Sequence, residues 1–160
     1  MKISTIAPLV EAVAQVGERL LLRVPNRGEL SVTPQLVTNY PINIVTGIVG
    51  DIEGVVLFGL TRESALAVAE AILEKHLRVV DQSVSIALKQ FGEMILSQDL
   101  SALRDSGVDF QLIPPAIIRG TGINVPTNDS PTLIIPLHFE GVGPICVKVS
   151  IFEKSAQAVA

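Results

Sequence analysis

Residues 40–75 read YPINIVTGIVGDIEGVVLFGLTRESALAVAEAILEK, and this stretch decides the fold class. INIVTGIVG and GVVLFGL are apolar, β-branched runs of strand length, joined by Asp51-Ile52-Glu53. Two such runs across a short turn read as an antiparallel hairpin. Thr61 then stands where a helix N-cap belongs, and RESALAVAEAILEK over about 62–75 carries the alanines and leucines of a helix.

Outward from the hairpin, the N-terminal side has Ile6, Leu9, Val10, Val13, Val16 and Leu20 at helical spacing, which predicts an amphipathic helix over about 5–21. RVPNRGE is a turn, and LSVTPQLVTN is a strand that Pro34 confines to a sheet edge. On the C-terminal side Asp81 caps a second helix near 82–104. Its buried stripe is Val84, Leu88, Phe91 and Ile95, with Ala87 and Met94 beside it, and Gly107 stands as its C′ residue. FQLIPPAIIRG, TLIIPLHFEG and ICVKVSIF are strands again, the first two separated by the turn-rich TGINVPTNDSP.

Helices and strands are therefore segregated along the chain. That order predicts an α+β fold: a largely antiparallel sheet of about six strands, with the N-terminal helix and two central helices packed on it. The expected organisation is a single domain over 1–154 and a short C-terminal tail over 155–160.

The bulk chemistry narrows function. The 160 residues are 48% hydrophobic and 18% charged, without Trp, so the core is aliphatic. A net charge of −4 and the lack of a basic patch with interleaved aromatics argue against a nucleic-acid partner. No apolar block is long enough for a signal peptide or a membrane span, which predicts a cytoplasmic protein without membrane contact. The single Cys146 lies in an apolar run and reads as a core residue. His76 and His138 have no ligand spacing, so no metal site is expected. GTGINV lacks the third Gly of a dinucleotide fingerprint and precedes no helix, and no Ser sits in a nucleophile elbow.

The outer face of the second central helix remains. Gln90, Glu93 and Ser97 project there, with Lys89 one turn before Glu93. The pattern by itself fits a solvated face with a Lys89–Glu93 pair at i,i+4.

The order and spacing of these pieces resemble the CheX branch of the CheC/CheX/FliY family of chemotaxis phosphatases over nearly the whole chain. The resemblance rests on Gly50, Asp51 and Gly54 in the hairpin, on Thr61, Ala65, Leu66 and Ala69, and on Leu103, Gly107, Pro114-Pro115 and Gly120. It implies a CheC-like fold, a homodimer, and a response-regulator receiver domain (CheY-like) as partner. Its implied chemistry is hydrolysis of the receiver's aspartyl phosphate, with Mg²⁺ supplied by the receiver and no cofactor held by the chain itself. In that family one helix carries Glu-Xaa-Gly-Asn-Xaa-Ile-Xaa-Gly. The Asn amide orients an in-line water and the Glu contacts a receiver lysine.

Here the corresponding run is Gln90-Phe91-Gly92-Glu93-Met94-Ile95-Leu96-Ser97. Gly92 and Ile95 fix the register, so Gln90 and Glu93 occupy the two catalytic positions and neither expected residue is present. The resemblance thus implies a partner-binding surface of Lys89, Gln90, Glu93 and Ser97 that engages a receiver without the standard phosphatase activity. The alternative is an active phosphatase in which Gln90 orients the water and Glu93 meets the receiver lysine.

Overall fold

The structure, a computed structural model, describes residues 3–105 and 107–153; the tail expected at 155–160 lies outside the described residues. Helix α1 spans Ile3–Leu21, and three short strands follow: β1 (Asn26–Arg27), β2 (Ser31–Thr33) and β3 (Leu36–Val37). The hairpin is β4 (Ile42–Gly50) and β5 (Ile52–Leu60), leading into α2 (Arg62–Leu73) and α3 (Gln82–Asp105). The chain closes with β6 (Phe110–Leu112), β7 (Ala116–Arg119), β8 (Asn124–Val125), β9 (Thr132–Phe139) and β10 (Gly143–Glu153).

The main sheet is antiparallel throughout, in the order β1-β9-β10-β5-β4-β6. β2 also pairs with β9 and β7 also pairs with β4, so eight strands fill six positions. Proline interrupts both outer positions. Pro114 and Pro115 have no N–H to give a ladder, and they separate β6 from β7 along β4. Pro34 divides the strand expected over LSVTPQLVTN: β2 stays on the sheet edge, whereas β3 leaves it to pair with β8 in a separate two-stranded sheet. The hairpin turn is also shorter than its sequence suggested. Ile52 and Glu53 belong to β5, and only Asp51 lies between the strands.

Alternation along the strands sets the two faces. Ile42, Ile44 and Ile48, Val56, Phe58 and Leu60, and Ile145, Val147 and Val149 are buried toward the helices. There they meet Leu9, Val13 and Val16 of α1, Val68 and Ala69 of α2, and the predicted stripe of α3. Gly17 lets α1 settle on the end of β9, since a Cβ there would lie 2.5 Å from the Phe139 ring. On the opposite face Leu57 packs with Leu36 and Val125 of the small sheet. Cys146 is buried on that face, as is Lys148, only 3% exposed. The Lys148 ammonium donates to Val37 O at 2.5 Å and to Asn39 Oδ1, tying the β3 segment down. Burial pulls the Lys148 ammonium below its usual range and pushes the Cys146 thiol above its own.

Thr61 caps α2 as its position predicts. Its hydroxyl accepts from Ser64 N at 3.1 Å, and Ser64 Oγ accepts from Thr61 N at 2.9 Å, a reciprocal capping box. Thr61→Ala is expected to cost about 0.5–2 kcal/mol, read as a lower urea midpoint at unchanged slope. A midpoint equal to wild type would show that the cap is dispensable. Among the described residues no helix is long and apolar enough to cross a membrane.

Candidate functional site

Three features place the outer face of α3. Asp81 starts the helix: its Oδ1 accepts from Val84 N at 3.2 Å and from Ser83 Oγ at 2.7 Å. The Ser83 hydroxyl, then the Val84 amide, hold this carboxyl below its ordinary range. The contribution of the charged cap is therefore present above the unfolded carboxylate pKa and is lost as pH falls through the lower folded value. Gly92 sets the depth and roll. A Cβ there would sit 3.0 Å from Ile44 Cγ2 and 3.9 Å from Pro115 Cγ, so the helix backbone approaches β4 closely at that point. Val84, Ala87, Leu88, Phe91, Ile95 and Leu96 complete the buried side.

With the helix so rolled, Lys89, Gln90, Glu93 and Ser97 are all exposed on one side. The sequence-predicted site residues are brought together. Two local expectations fail. Met94 does not join the buried stripe but is 44% exposed; at about 100° per residue it lies on the far side of the helix from Gly92. Lys89 and Glu93 form no ion pair within 4 Å, and the side chains of Gln90 and Glu93 have no hydrogen-bond or ionic partner among the described residues. The face is polar, with Ile86 and Met94 as exposed apolar members.

Beside it runs a groove of about 260 Å³, lined by Thr46, Glu93, Leu96, Ser97, Leu112, Ile113, Pro114 and Pro115. It exists because the prolines open the sheet edge between β6 and β7, opposite the middle of β4. Ile113 N still bonds Gly47 O at 2.8 Å, and the Ile113 side chain lies over Gly47 on the sheet face away from α3. Thr46 belongs to the buried floor, 1% exposed, and its Oγ1 has no hydrogen-bond partner among the described residues. Thr46 was not a candidate from sequence; Pro114-Pro115 was the only available signal, and it does not reveal what lies beneath.

The Gly50, Asp51 and Gly54 positions serve the framework. Asp51 N donates to Asp109 O at 2.8 Å, and Asp51 Oδ2 accepts from Asp109 N at 2.9 Å. A Cβ on Gly54 would meet Ser150 O at 2.1 Å. These residues join strands. Among the described residues no group of three or more His, Cys, Asp or Glu side chains could hold a metal ion.

No curated protein matches the sequence significantly. Solved structures do. A chemotaxis protein CheX from Desulfovibrio desulfuricans is 26% identical, with TM-score 0.81, covering 94% of this chain and 100% of its own. The CheX of a CheX–CheY–BeF₃–Mg²⁺ complex from Borrelia burgdorferi is 24% identical, with TM-score 0.79, covering 95% and 100%. A CheC-like superfamily protein from Shewanella is 16% identical, with TM-score 0.83, covering 95% and 99%. At these identities the last two speak for the fold. The family described as "Chemotaxis phosphatase CheX" matches residues 42–138. That segment runs from the first residue of β4 almost to the end of β9 and contains α3 and its groove; the chain belongs to the CheX family of chemotaxis phosphatases.

Proposed function

We propose that this protein is a CheX-like signalling domain that docks the exposed face of α3 on a response-regulator receiver and lacks the standard aspartyl-phosphate phosphatase activity. The observation that carries the reading is the seating of Gly92 against Ile44. It rolls the helix so that Gln90 and Glu93 stand outward, which supports reading them as the family's two motif positions. The receiver as partner is supported by family membership and by the Borrelia relative, whose structure is a complex with CheY, BeF₃ and Mg²⁺. The receiver would supply the Mg²⁺, whose role is to neutralise phosphoryl charge; the present chain contributes only positioning groups.

Phosphoryl transfer is catalysed chiefly by positioning and charge stabilisation. Glu93 works against both. Its carboxylate cannot donate to a phosphoryl oxygen, and two like unit charges about 4 Å apart repel by roughly 4 kcal/mol at a surface-like effective dielectric. Gln90 is neutral and forgoes the ion pair that a Glu would form with a lysine. The test mixes the protein with a phosphorylated, Mg²⁺-loaded receiver from the same organism. Binding without faster phosphate release is the expected outcome. Release accelerated by wild type and abolished by Gln90→Ala would reject it and assign Gln90 the water-orienting role, with Glu93 meeting the receiver lysine.

We further infer that the 1–154 domain works in the cytoplasm as a homodimer joined through the β1–β2 edge. Support comes from the exposed Leu22, Val24, Leu30 and Val32 clustered in and around these edge strands, where unpaired backbone groups can extend the sheet. Sedimentation at a monomer mass across the micromolar range would reject the dimer.

A further inference from the structure

We propose that Met94 is an oxidation site on the exposed face of α3, and that its conversion to the sulfoxide by a hydroperoxide weakens the docking of a receiver there. The effect on docking rests on the function proposed above, whereas the selectivity of the oxidation stands independently of it. The chain has two methionines and one cysteine, and Met94 and Cys146 are the sulfur-bearing side chains among the described residues. Their surroundings are opposite. Cys146 is 5% exposed, on the sheet face away from the helices. Burial pushes its thiol above the ordinary range, so the thiolate, the form that attacks a peroxide, is scarce. A thioether has no proton to lose, and access decides its reactivity. Met94 is 44% exposed, because Gly92, about 200° away around the helix, seats the other side of α3 against Ile44.

Position gives the modification a consequence. Met94 follows Glu93 directly and stands one turn after Gln90, about 6 Å along the helix axis and about 40° around it. One turn further on, Gln98 accepts from Arg19 and donates to Gln15 of α1, both at 2.6 Å. Along the helix Met94 therefore stands between the motif pair and this bridge to α1. It is also one of only two large apolar side chains exposed on an otherwise polar face, the other being Ile86. A partner covering the face desolvates the thioether and gains its apolar contact. The sulfoxide puts a polar oxygen at the same point, and covering that oxygen without a donor forfeits its hydration.

The chemistry balances with hydrogen peroxide as the oxidant. The sulfur lone pair attacks one peroxide oxygen, and an S–O bond forms as the O–O bond breaks. Sulfur gives up two electrons, and the proton of the transferred oxygen passes to the departing hydroxide, which leaves as water. A methionine sulfoxide reductase, drawing on a dithiol, restores the thioether. Docking would then weaken under oxidant and recover on reduction.

The test treats the full chain with hydrogen peroxide, removes the excess with catalase, and then reads peptide masses and receiver binding. One added oxygen is expected at Met94 before any appears at Cys146, and the reductase should remove it. The oxidised chain should bind a phosphorylated, Mg²⁺-loaded receiver about tenfold more weakly and regain its affinity after reduction. Amide NMR spectra that stay native-like away from α3 separate this loss from unfolding. Met94→Gln, polar and of similar length, should show the weaker binding without peroxide. Met94→Leu should bind like the untreated wild type and hold that affinity after peroxide, although it keeps Met1 and Cys146. Cys146 oxidised first, or Met94 left unmodified, would overturn the site. An oxidised chain that binds as tightly as the reduced one, or a Met94→Leu chain that loses affinity equally, would overturn its effect on docking. An untreated protein that binds no receiver rejects the docking reading and that effect with it, while the masses still decide the oxidation.

Discussion

The double variant Gln90→Glu, Glu93→Asn is expected to raise the rate of receiver dephosphorylation by about 10²–10⁴ over the wild type, the usual worth of a well-positioned catalytic group. Both positions are exposed on a helix whose roll is fixed from beneath by Gly92 and by Leu88, Phe91 and Ile95. Neither side chain has a partner to lose among the described residues, so the exchange should alter stability by no more than about 0.5 kcal/mol. Net charge is unchanged, because one carboxylate moves three residues back along the helix. On a docked receiver, an amide at 93 would replace a repelling charge, and a carboxylate at 90 would gain a cationic partner. The single variants should fall well short of the pair. Gln90→Glu leaves the repelling carboxylate in place, and Glu93→Asn leaves the docking charge missing. A double variant that binds the receiver yet stays inert would show that the scaffold lacks something else, with Ser97, where the motif has Gly, the next position to change.

Much of this fold is written locally, and the site only in part. The β4–β5 hairpin, the Thr61 and Asp81 caps and the stripe through Val84, Leu88, Phe91 and Ile95 depend on neighbours a few residues away, and sequence patterns report such neighbours well. The single strand expected across Pro34 failed because its two halves serve different partners, β9 and β8, which lie about a hundred residues downstream. The three-residue turn failed because Gly50, at φ +132°, reverses the chain more sharply than the surrounding residues suggest. Met94 is exposed because its angular position on the helix, not its hydrophobicity, decides where it points. The burial of Lys148 has no mark in ICVKVSIF, since the acceptors that cover it come from Val37 and Asn39. The groove is the extreme case. Thr46 and Pro114-Pro115 are unremarkable where they stand, and only the pairing of β6 and β7 with β4 brings them under α3.

Gly50→Ala is expected to destabilise the protein by about 2–6 kcal/mol, from backbone strain of roughly 1–3 kcal/mol and steric overlap of similar size. Gly50 sits at φ +132°, well outside the narrow left-handed well near +57° that other residues can enter. A Cβ there would lie 2.7 Å from both Asp109 O and Phe110 Cα. Both are backbone atoms, so no rotamer change relieves the overlap and β6 must withdraw from β4. That withdrawal breaks the paired bonds between Asp51 and Asp109 and unseats the buried Phe110. Gly122→Ala is the matched control: its φ of +72° lies near the left-handed well, and nothing stands within 4 Å of a new Cβ. It should cost only about 1–2 kcal/mol. Urea midpoints at constant slope compare the two, and equal shifts would mean that neither the more extreme dihedral angle nor the contact with β6 adds to the cost. Native stabilities are typically about 5–15 kcal/mol, so the larger loss takes a sizeable share of the total. Because β6 leads directly into the groove, Gly50→Ala should also displace the amide signals of Leu112 and Ile113, and Gly122→Ala should leave them in place.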